Sequence, residues 1–425
     1  MTARLSLTRK EQGAVEDRAL SSPNRVPDWL LGRPEWNTAN SGALVIGGDY
    51  RSLGTVRSLG RHKIPVWVLV DDHLLAGLSR YTQRRLPWPE TDEAKQVEYL
   101  LQLSETHNLR GWALIPSSDE TAATVSRYHR VLRDRFRLTL PPWEVLQWAY
   151  DKRLTYRLAS MRGIPCPWTR IPGSRDEVEL LNCRFPVILK PAVKPVLNAL
   201  TVARAWRVEN RESLLASYDE ACRMVDPSAI MIQEFIPGSG EEQFSYAALS
   251  VGGRPLASLT ARRVRQYPVE FGRFSTFVET VDNQEVEEWG RRFLSEVGFT
   301  GLIELEFKRD PSSRQLKLLD VNPRIWGWHT LGRRAGVDFS YLLWRLTQGD
   351  SFQEVTGRPG IRWVRMSTDL AAALSEIRHG RLSAGAYLRS LFGPIESAVF
   401  AVDDPLPGLL EVPLSAYQVL KRRWV

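Results

Sequence analysis

The sequence predicts an α/β domain over residues 42–140, followed by an α+β region in which a small αβ segment, 141–228, precedes a larger antiparallel core, 229–350. Three observations carry this reading. Ala43-Leu44-Val45-Ile46, Gly47-Gly48, a helical stretch over 52–61 and the run Val66-Trp67-Val68-Leu69-Val70 follow in the order of a βαβ unit. Beyond residue 229, strand-like segments at 229–235, 243–251, 254–263, 302–308 and 315–321 are interrupted by a single helical segment. In the last two of these, Glu306 and the pair Asp320 and Asn322 alternate with Leu305, Phe307, Leu319 and Val321, as half-buried strands require.

Each element has a local reason. Residues 1–41 lack periodicity and read as a mobile or loosely docked extension. Gly47-Gly48 before a helix can bring backbone amides to an anion, but the full dinucleotide fingerprint is absent, so a tight turn or substrate-side loop is the better reading. Ala113-Leu114-Ile115-Pro116 with Ser117-Ser118-Asp119-Glu120 reads as a strand, a cap and a helix over 120–133. Pro141-Pro142 opens a helix over 143–162 that Gly163 ends. Strands at 187–189 and 202–208 precede a helix at 211–224, and a helix at 285–297 is capped by Asp282 or Asn283. Past Asp350 the pattern weakens to helices at 370–378 and 385–391 and a turn at Pro405-Leu406-Pro407-Gly408, so 351–425 is expected to be a helical or irregular extension.

Composition narrows the function. The formal charge of +8 comes from arginines scattered along the chain, which suits anionic small molecules and lacks the clustered stripe of a nucleic-acid binder. No apolar stretch is long enough to span a bilayer and the N-terminus is polar, so a cytoplasmic protein without membrane contact is expected. Three cysteines, Cys166, Cys183 and Cys222, and six histidines have no metal-ligand spacing. Most of the 15 tryptophans are expected at core or rim positions.

The hairpin is different. Glu306, Asp320 and Asn322 supply hard oxygen donors that suit Mg²⁺, with Mn²⁺ as a substitute, and Arg324 adds a fixed positive charge beside nucleotide phosphates. The alternative is a solvated hairpin whose acids pair with Lys308, Arg309 and Lys317. Lys190 ends the apolar strand Val187-Ile188-Leu189, where an ammonium is costly to bury unless an anion such as phosphate compensates it; the rival is a lysine that snorkels out.

The pattern Glu306 … Asp320-Val321-Asn322-Pro323-Arg324 resembles the magnesium-binding end of ATP-grasp ligases, and upstream segments fall in that family's order. Asp151-Lys152, Leu158-Ala159 and Gly163-Ile164-Pro165-Cys166-Pro167 resemble its entry. Phe185-Pro186-Val187-Ile188-Leu189-Lys190-Pro191 resembles the strand with the nucleotide-binding lysine, and Met231-Ile232-Gln233-Glu234-Phe235-Ile236-Pro237-Gly238 the adenine hinge. The resemblance implies a pre-ATP-grasp N-terminal domain and a two-lobed ATP-grasp fold, with 141–228 the small lobe and 229–350 the large lobe. It implies ATP held by Lys152, Lys190, the backbone of Gln233, Glu234, Phe235 and Ile236, and a ribose contact from Glu242 in preference to Glu241 or Gln243.

The family's glycine-rich flap is missing between Pro191 and Leu200, where Lys194 and Asn198 could stand in as donors. Arg262, Arg263 and Arg265, with the loop Glu270-Phe271-Gly272-Arg273-Phe274-Ser275-Thr276, resemble the acceptor-carboxylate region, and Glu279 a further wall; a basic solvent face is the alternative. The resemblance implies a ligase joining a small-molecule carboxylate to an amine through an acyl phosphate, with Lys190, Arg263 and Arg324 as catalytic residues and a homodimer compatible with it. The alternatives are a carboxylating or carbamate-forming enzyme, disfavoured because no biotin-carrier segment is seen, and a non-catalytic nucleotide-binding regulator.

Overall fold

In the N-terminal third, apolar runs of four or five residues find their cover by pairing. β1 (Ala43–Ile46), α1 (Tyr50–Arg61), β2 (Val66–Val70), β3 (Arg84–Pro87), α2 (Glu93–Thr106), β4 (Ala113–Pro116), α3 (Asp119–Arg127) and β5 (Arg137–Leu138) follow in sequence. The strands form one parallel sheet in the order β3-β2-β1-β4-β5. Alternation along β1 serves both faces. Ala43 and Val45 pack with Leu53, Val56 and Leu59 of α1, while Leu44 and Ile46 pack with Val97, Leu100 and Leu103 of α2. The order reverses at β1, so a crevice opens beyond the C-terminal ends of β1 and β4. The predicted helix over 120–133 divides into α3 and a short turn of helix, His129–Leu132.

This computed structural model describes residues 26–32, 36, 41–192, 200, 205–238, 240–267 and 274–423. Lys194, Asn198 and the segment Glu270-Phe271-Gly272-Arg273 lie outside them, as does most of the N-terminal extension. The described part of that extension is docked: Leu30 is buried and Arg137 donates to the Leu31 carbonyl at 3.0 Å.

The helix predicted over 143–162 is two helices, α4 (Trp143–Tyr150) and α5 (Lys152–Met161). Asp151 between them is extended, and its carboxylate caps α5 by accepting from the Arg153 amide. Then come β6 (Thr169–Arg170), β7 (Val187–Pro191), β8 (Trp206–Val208), α6 (Arg211–Cys222) and β9 (Ile230–Glu234), whose strands form an antiparallel sheet in the order β6-β9-β7-β8. The lobe boundary expected at 228 therefore falls too early. β9 is laddered to β7 from Val187↔Glu234 to Pro191↔Ile230, and Ile230 and Ile232 share a core with Val187, Leu189 and Leu214.

The large sheet is built from β10 (Gln243–Val251), β11 (Arg254–Tyr267), β12 (Phe274–Val281), β13 (Gly301–Arg309) and β14 (Leu316–Asn322), with α7 (Gln284–Val297) capped by Asn283. After α8 (Leu331–Ala335) and α9 (Phe339–Thr347), the chain adds β15 (Val355–Thr356), β16 (Arg362–Val364), α10 (Met366–Arg378), α11 (Ala384–Ser390), β17 (Ile395–Ser397) and α12 (Leu406–Arg423). The full order is β14-β13-β10-β11-β12-β16-β17, with β15 on β11. The helices expected after 350 are present, but the strands β15, β16 and β17 between them join this sheet, a correction to the separate extension expected there. The turn expected at 405–408 opens α12 instead, because a proline in a first helical turn gives up no needed hydrogen bond. Among the described residues no helix is long and apolar enough to cross a membrane.

Candidate active site

The β13–β14 register sets Glu304 opposite Asn322 and Glu306 opposite Asp320, so the two strands turn their polar side chains to one face. Asn322 Nδ2 donates to Glu304 Oε2 at 3.2 Å and to Glu306 Oε1 at 3.1 Å, while its Oδ1 accepts from Arg324 at 3.1 Å. Glu304, which the sequence reading left out of the donor set, is buried and also accepts from Ser245 Oγ at 3.0 Å and Trp328 Nε1 at 2.9 Å. Burial, then the charge of Glu306, push its carboxyl well above the usual carboxylate range. Its period-2 spacing from Glu306 was the available signal. Two carboxylates converging on one amide are oxygen donors of the kind Mg²⁺ takes; Asn322 would join them as a donor only with its amide turned, since its nitrogen faces them here.

Two lysines converge on the same corner. Lys152, the first residue of α5, forms an ion pair with Asp320 Oδ1. Lys190 is buried at the end of β7 and does not snorkel out: it donates to the Tyr156 phenol at 2.9 Å, its Nζ 5.0 Å from that ring centre. Burial lowers its ammonium to about 8, opposed by the charges of Asp320 and Glu306. Tyr156, another residue the sequence reading passed over, donates in turn to the Leu319 carbonyl on β14. An apolar helix position with a phenol gives no sequence signal for such a bridge.

The proposed hinge takes up the bases that the solvated-hairpin reading assigned to the acids. Lys308 Nζ donates at 2.9 Å to the carbonyls of Ile236 and Gly238, and Lys317 Nζ to Glu234 at 2.8 Å and Asp310 at 3.0 Å. Arg309 pairs with Glu285 at 3.0 Å. Glu306, Asp320 and Asn322 are thereby left to the cleft. Gln233 is fully buried and donates to Thr169 Oγ1 at 2.8 Å, the Arg207 guanidinium lies 4.5 Å from the Phe235 ring centre, and Glu242 closes a short turn near Lys308.

The arginine strand divides. Arg263 Nη2 meets Glu306 Oε2 at 2.7 Å, so it belongs to the acidic corner. Arg262 pairs with Glu279 at 3.4 Å. Arg265 is buried on β11, grips both oxygens of Asp369 at 2.9 and 2.8 Å and anchors α10, so it is taken out of the acceptor set. Arg324 pairs with Asp119 at the N-terminus of α3, which brings the crevice at β1 and β4 to the same corner. There the close turn is steric. A Cβ on Gly47, whose φ is +122°, would stand 2.0 Å from Ser117 Oγ, and one on Gly48 1.6 Å from the His73 carbonyl. Ser52 Oγ beside it is buried and has no hydrogen-bond partner among the described residues.

No family model matches the chain. A D-aspartate ligase of Enterococcus faecium (strain Aus0004) is 22% identical over 253 residues, 54% of this chain and 57% of that enzyme, so the chain spans little more than half of it. Among solved structures, the biotin carboxylase domain of Hydrogenobacter thermophilus 2-oxoglutarate carboxylase, bound to MgADP and bicarbonate, superposes with a TM-score of 0.60 at 15% identity, covering 75% of this chain and 73% of that one. The L-amino acid ligase of Bacillus licheniformis gives 0.57 at 15% identity over 72% and 74% of the two chains. The N5-carboxyaminoimidazole synthetase of Staphylococcus aureus gives 0.55 at 13% over 74% and 79%. At these identities the likeness is one of fold, and with the parallel N-terminal sheet and the two antiparallel sheets that follow it, it shows that the chain has the ATP-grasp fold.

Proposed function

We propose that the protein is an ATP-dependent ligase that activates a carboxylate as an acyl phosphate and joins it to an amine, releasing ADP and phosphate. The observation that carries the reading is the meeting of Lys152, Arg263 and Arg324 with Asp320, Glu306 and Asn322, with Lys190 near enough to feel the charges of Asp320 and Glu306; Lys152, Lys190 and Arg263 come from segments remote from the hairpin. Phosphoryl transfer needs positioning and charge neutralisation more than covalent help. Magnesium, when bound, would offset the charge of the phosphates. Glu306, Asp320 and Asn322 are the residues that would hold it. Lys190, steadied by Tyr156, and Lys152 hold the phosphates, and the segment from Gln233 to Ile236 with Glu242 holds the nucleoside.

Arg263 orients the carboxylate to be activated, its planar fork suited to a two-point contact. The second substrate is assigned to the crevice at Gly47, Gly48 and Ser117, next to Arg324. The sequence relative named D-aspartate ligase supports a ligase over a carboxylating enzyme, and an amino acid as one substrate. The test is phosphate release from Mg·ATP with amino acids offered singly and in pairs. Release that needs both a carboxylate and an amine, with an amide detected by mass spectrometry, is the expected result; bicarbonate-dependent release without an amine overturns it.

A further inference from the structure

A cavity of about 260 Å³ lies on the far half of α1, walled by α8, the start of α9 and the segment that follows β17. An adjoining cavity shares Ser58, Arg61, Arg333 and Asp338 with it. No residue of the nucleotide or metal corner lines either one. The lining is strongly charged, and most of its charges cancel. Arg57 pairs with Asp404, Arg61 meets both oxygens of Asp403 at 2.8 Å, and Arg333 meets both oxygens of Glu396 at 3.0 and 2.9 Å.

Among the described residues, one cation and one anion of the lining are left over. Arg334, 46% exposed, reaches the already engaged Glu396, at 3.4 Å. Asp338 accepts from Ser58 Oγ at 2.6 Å and from the Tyr341 amide at 3.4 Å, and forms no ion pair among the described residues. The lining also includes the apolar Ile395, Ala398, Phe400 and Val402, of which Val402 is 88% exposed. We propose that this cavity is a regulatory site for a free α-amino acid with an apolar side chain, its ammonium facing Asp338 and its carboxylate facing Arg334. The chemistry of the site asks for both charges on one small molecule, because a lone anion or cation would leave the opposite group unmatched.

The route from this cavity to the acidic corner is short. Gly54 of α1 packs so closely on the cavity wall that a Cβ there would stand 2.4 Å from Thr330 Cγ2 and 2.8 Å from His329 Cε1. His329 directly follows Trp328, whose indole donates to Glu304 Oε1 at 2.9 Å. A ligand that shifts residues 329–330 therefore acts on the carboxylate that shares Asn322 with Glu306. Coupling of this kind is reciprocal, so the amino acid changes nucleotide affinity and nucleotide changes amino-acid affinity by the same factor.

The experiment is calorimetric titration of the full chain with leucine, valine, methionine and phenylalanine, each with its N-acetyl and amide derivatives, with and without MgADP. The expected result is binding of at least one free amino acid, loss of binding by both derivatives, and weakening by about tenfold or more in Asp338→Asn and separately in Arg334→Gln. Asn keeps the cap of α9, and both variants should bind MgADP alone as wild type does. Absence of binding by all four amino acids overturns the proposal. Binding that both variants retain overturns it too, because the ligand then sits elsewhere. Neither result bears on the ligase reading, which phosphate release tests separately.

Discussion

Arg324 meets both carboxylate oxygens of Asp119, Nε to Oδ1 at 2.8 Å and Nη2 to Oδ2 at 3.1 Å, and with the same Nη2 reaches Asn322. A helix terminus of the N-terminal domain thus holds the arginine that touches Asn322, the asparagine proposed to bind the metal. The pair is partly exposed on the Asp119 side, so its worth to stability is about 1 kcal/mol or less.

Asp119→Asn should consequently separate stability from function. The melting temperature should barely move, while ATP turnover falls about tenfold to a hundredfold because Arg324 loses its fixed orientation. Steady-state rates and thermal melts on the same sample check it; a large loss of stability with unchanged turnover would make the pair purely structural.

Lys190 gives a pH-dependent prediction. Its folded ammonium is lowered to about 8 from an ordinary 10.5, so between those values the unfolded chain binds more protons and stability rises with pH. Below about pH 8 the burial penalty is fully present. Lys190→Met should therefore be more stable than wild type at neutral pH, by about 3 kcal/mol at most, and should lose the rise above pH 8. Its ATP affinity should drop, since no anion needs a thioether. Denaturant titrations at pH 7 and 10 with nucleotide titrations check both halves; a destabilised variant with normal ATP binding would assign Lys190 to structure.

Asp320→Asn and Asn322→Ala should abolish magnesium-dependent nucleotide binding with little change in folding, since each side chain is only partly buried. Glu304 should behave differently. Glu304→Gln can still accept from Trp328 and Ser245, whereas Glu304→Ala leaves buried donors unpaired at a cost of about 1–3 kcal/mol. Thermal melts and MgADP calorimetry on the set separate the two roles.

The periodicity of β1, β2, β4 and β14 was legible because the signal in each is local, and a cap was legible within Ser117–Glu120 and at Asp282 or Asn283, where the structure has Ser118 and Asn283. The placement of β9 was not, since an apolar strand carries no mark of which sheet will accept its backbone. The shared face of Glu306, Asp320 and Asn322 could be read from alternation, but Glu304 on that same face was left out. What holds the hairpin could not be read: Tyr156, Trp328 and Asp119 reach it from 163, 24 and 205 residues away along the chain from their partners Leu319, Glu304 and Arg324. Nor could Arg263 and Arg265 be told apart, because a register shift in the β11–β12 ladder between them sends two residues of one expected face to different partners.

That shift supplies the last prediction. Arg263 ends on Glu306 in the cleft with 11% of its side chain exposed, while Arg265 ends on Asp369 with both partners buried. Arg265→Ala strands a buried carboxylate and detaches α10, so a loss of about 3–5 kcal/mol is expected, with substrate affinity preserved in whatever fraction remains folded. Arg263→Ala should do the reverse. Glu306 keeps its contact with Asn322, the fold survives, and affinity for the carboxylate to be activated falls by about two orders of magnitude while ATP still binds. Urea denaturation and carboxylate calorimetry on both variants decide it. If Arg263→Ala binds the carboxylate like wild type, the acceptor pocket belongs to the crevice at Gly47, Gly48 and Ser117, and Arg263 serves to hold Glu306.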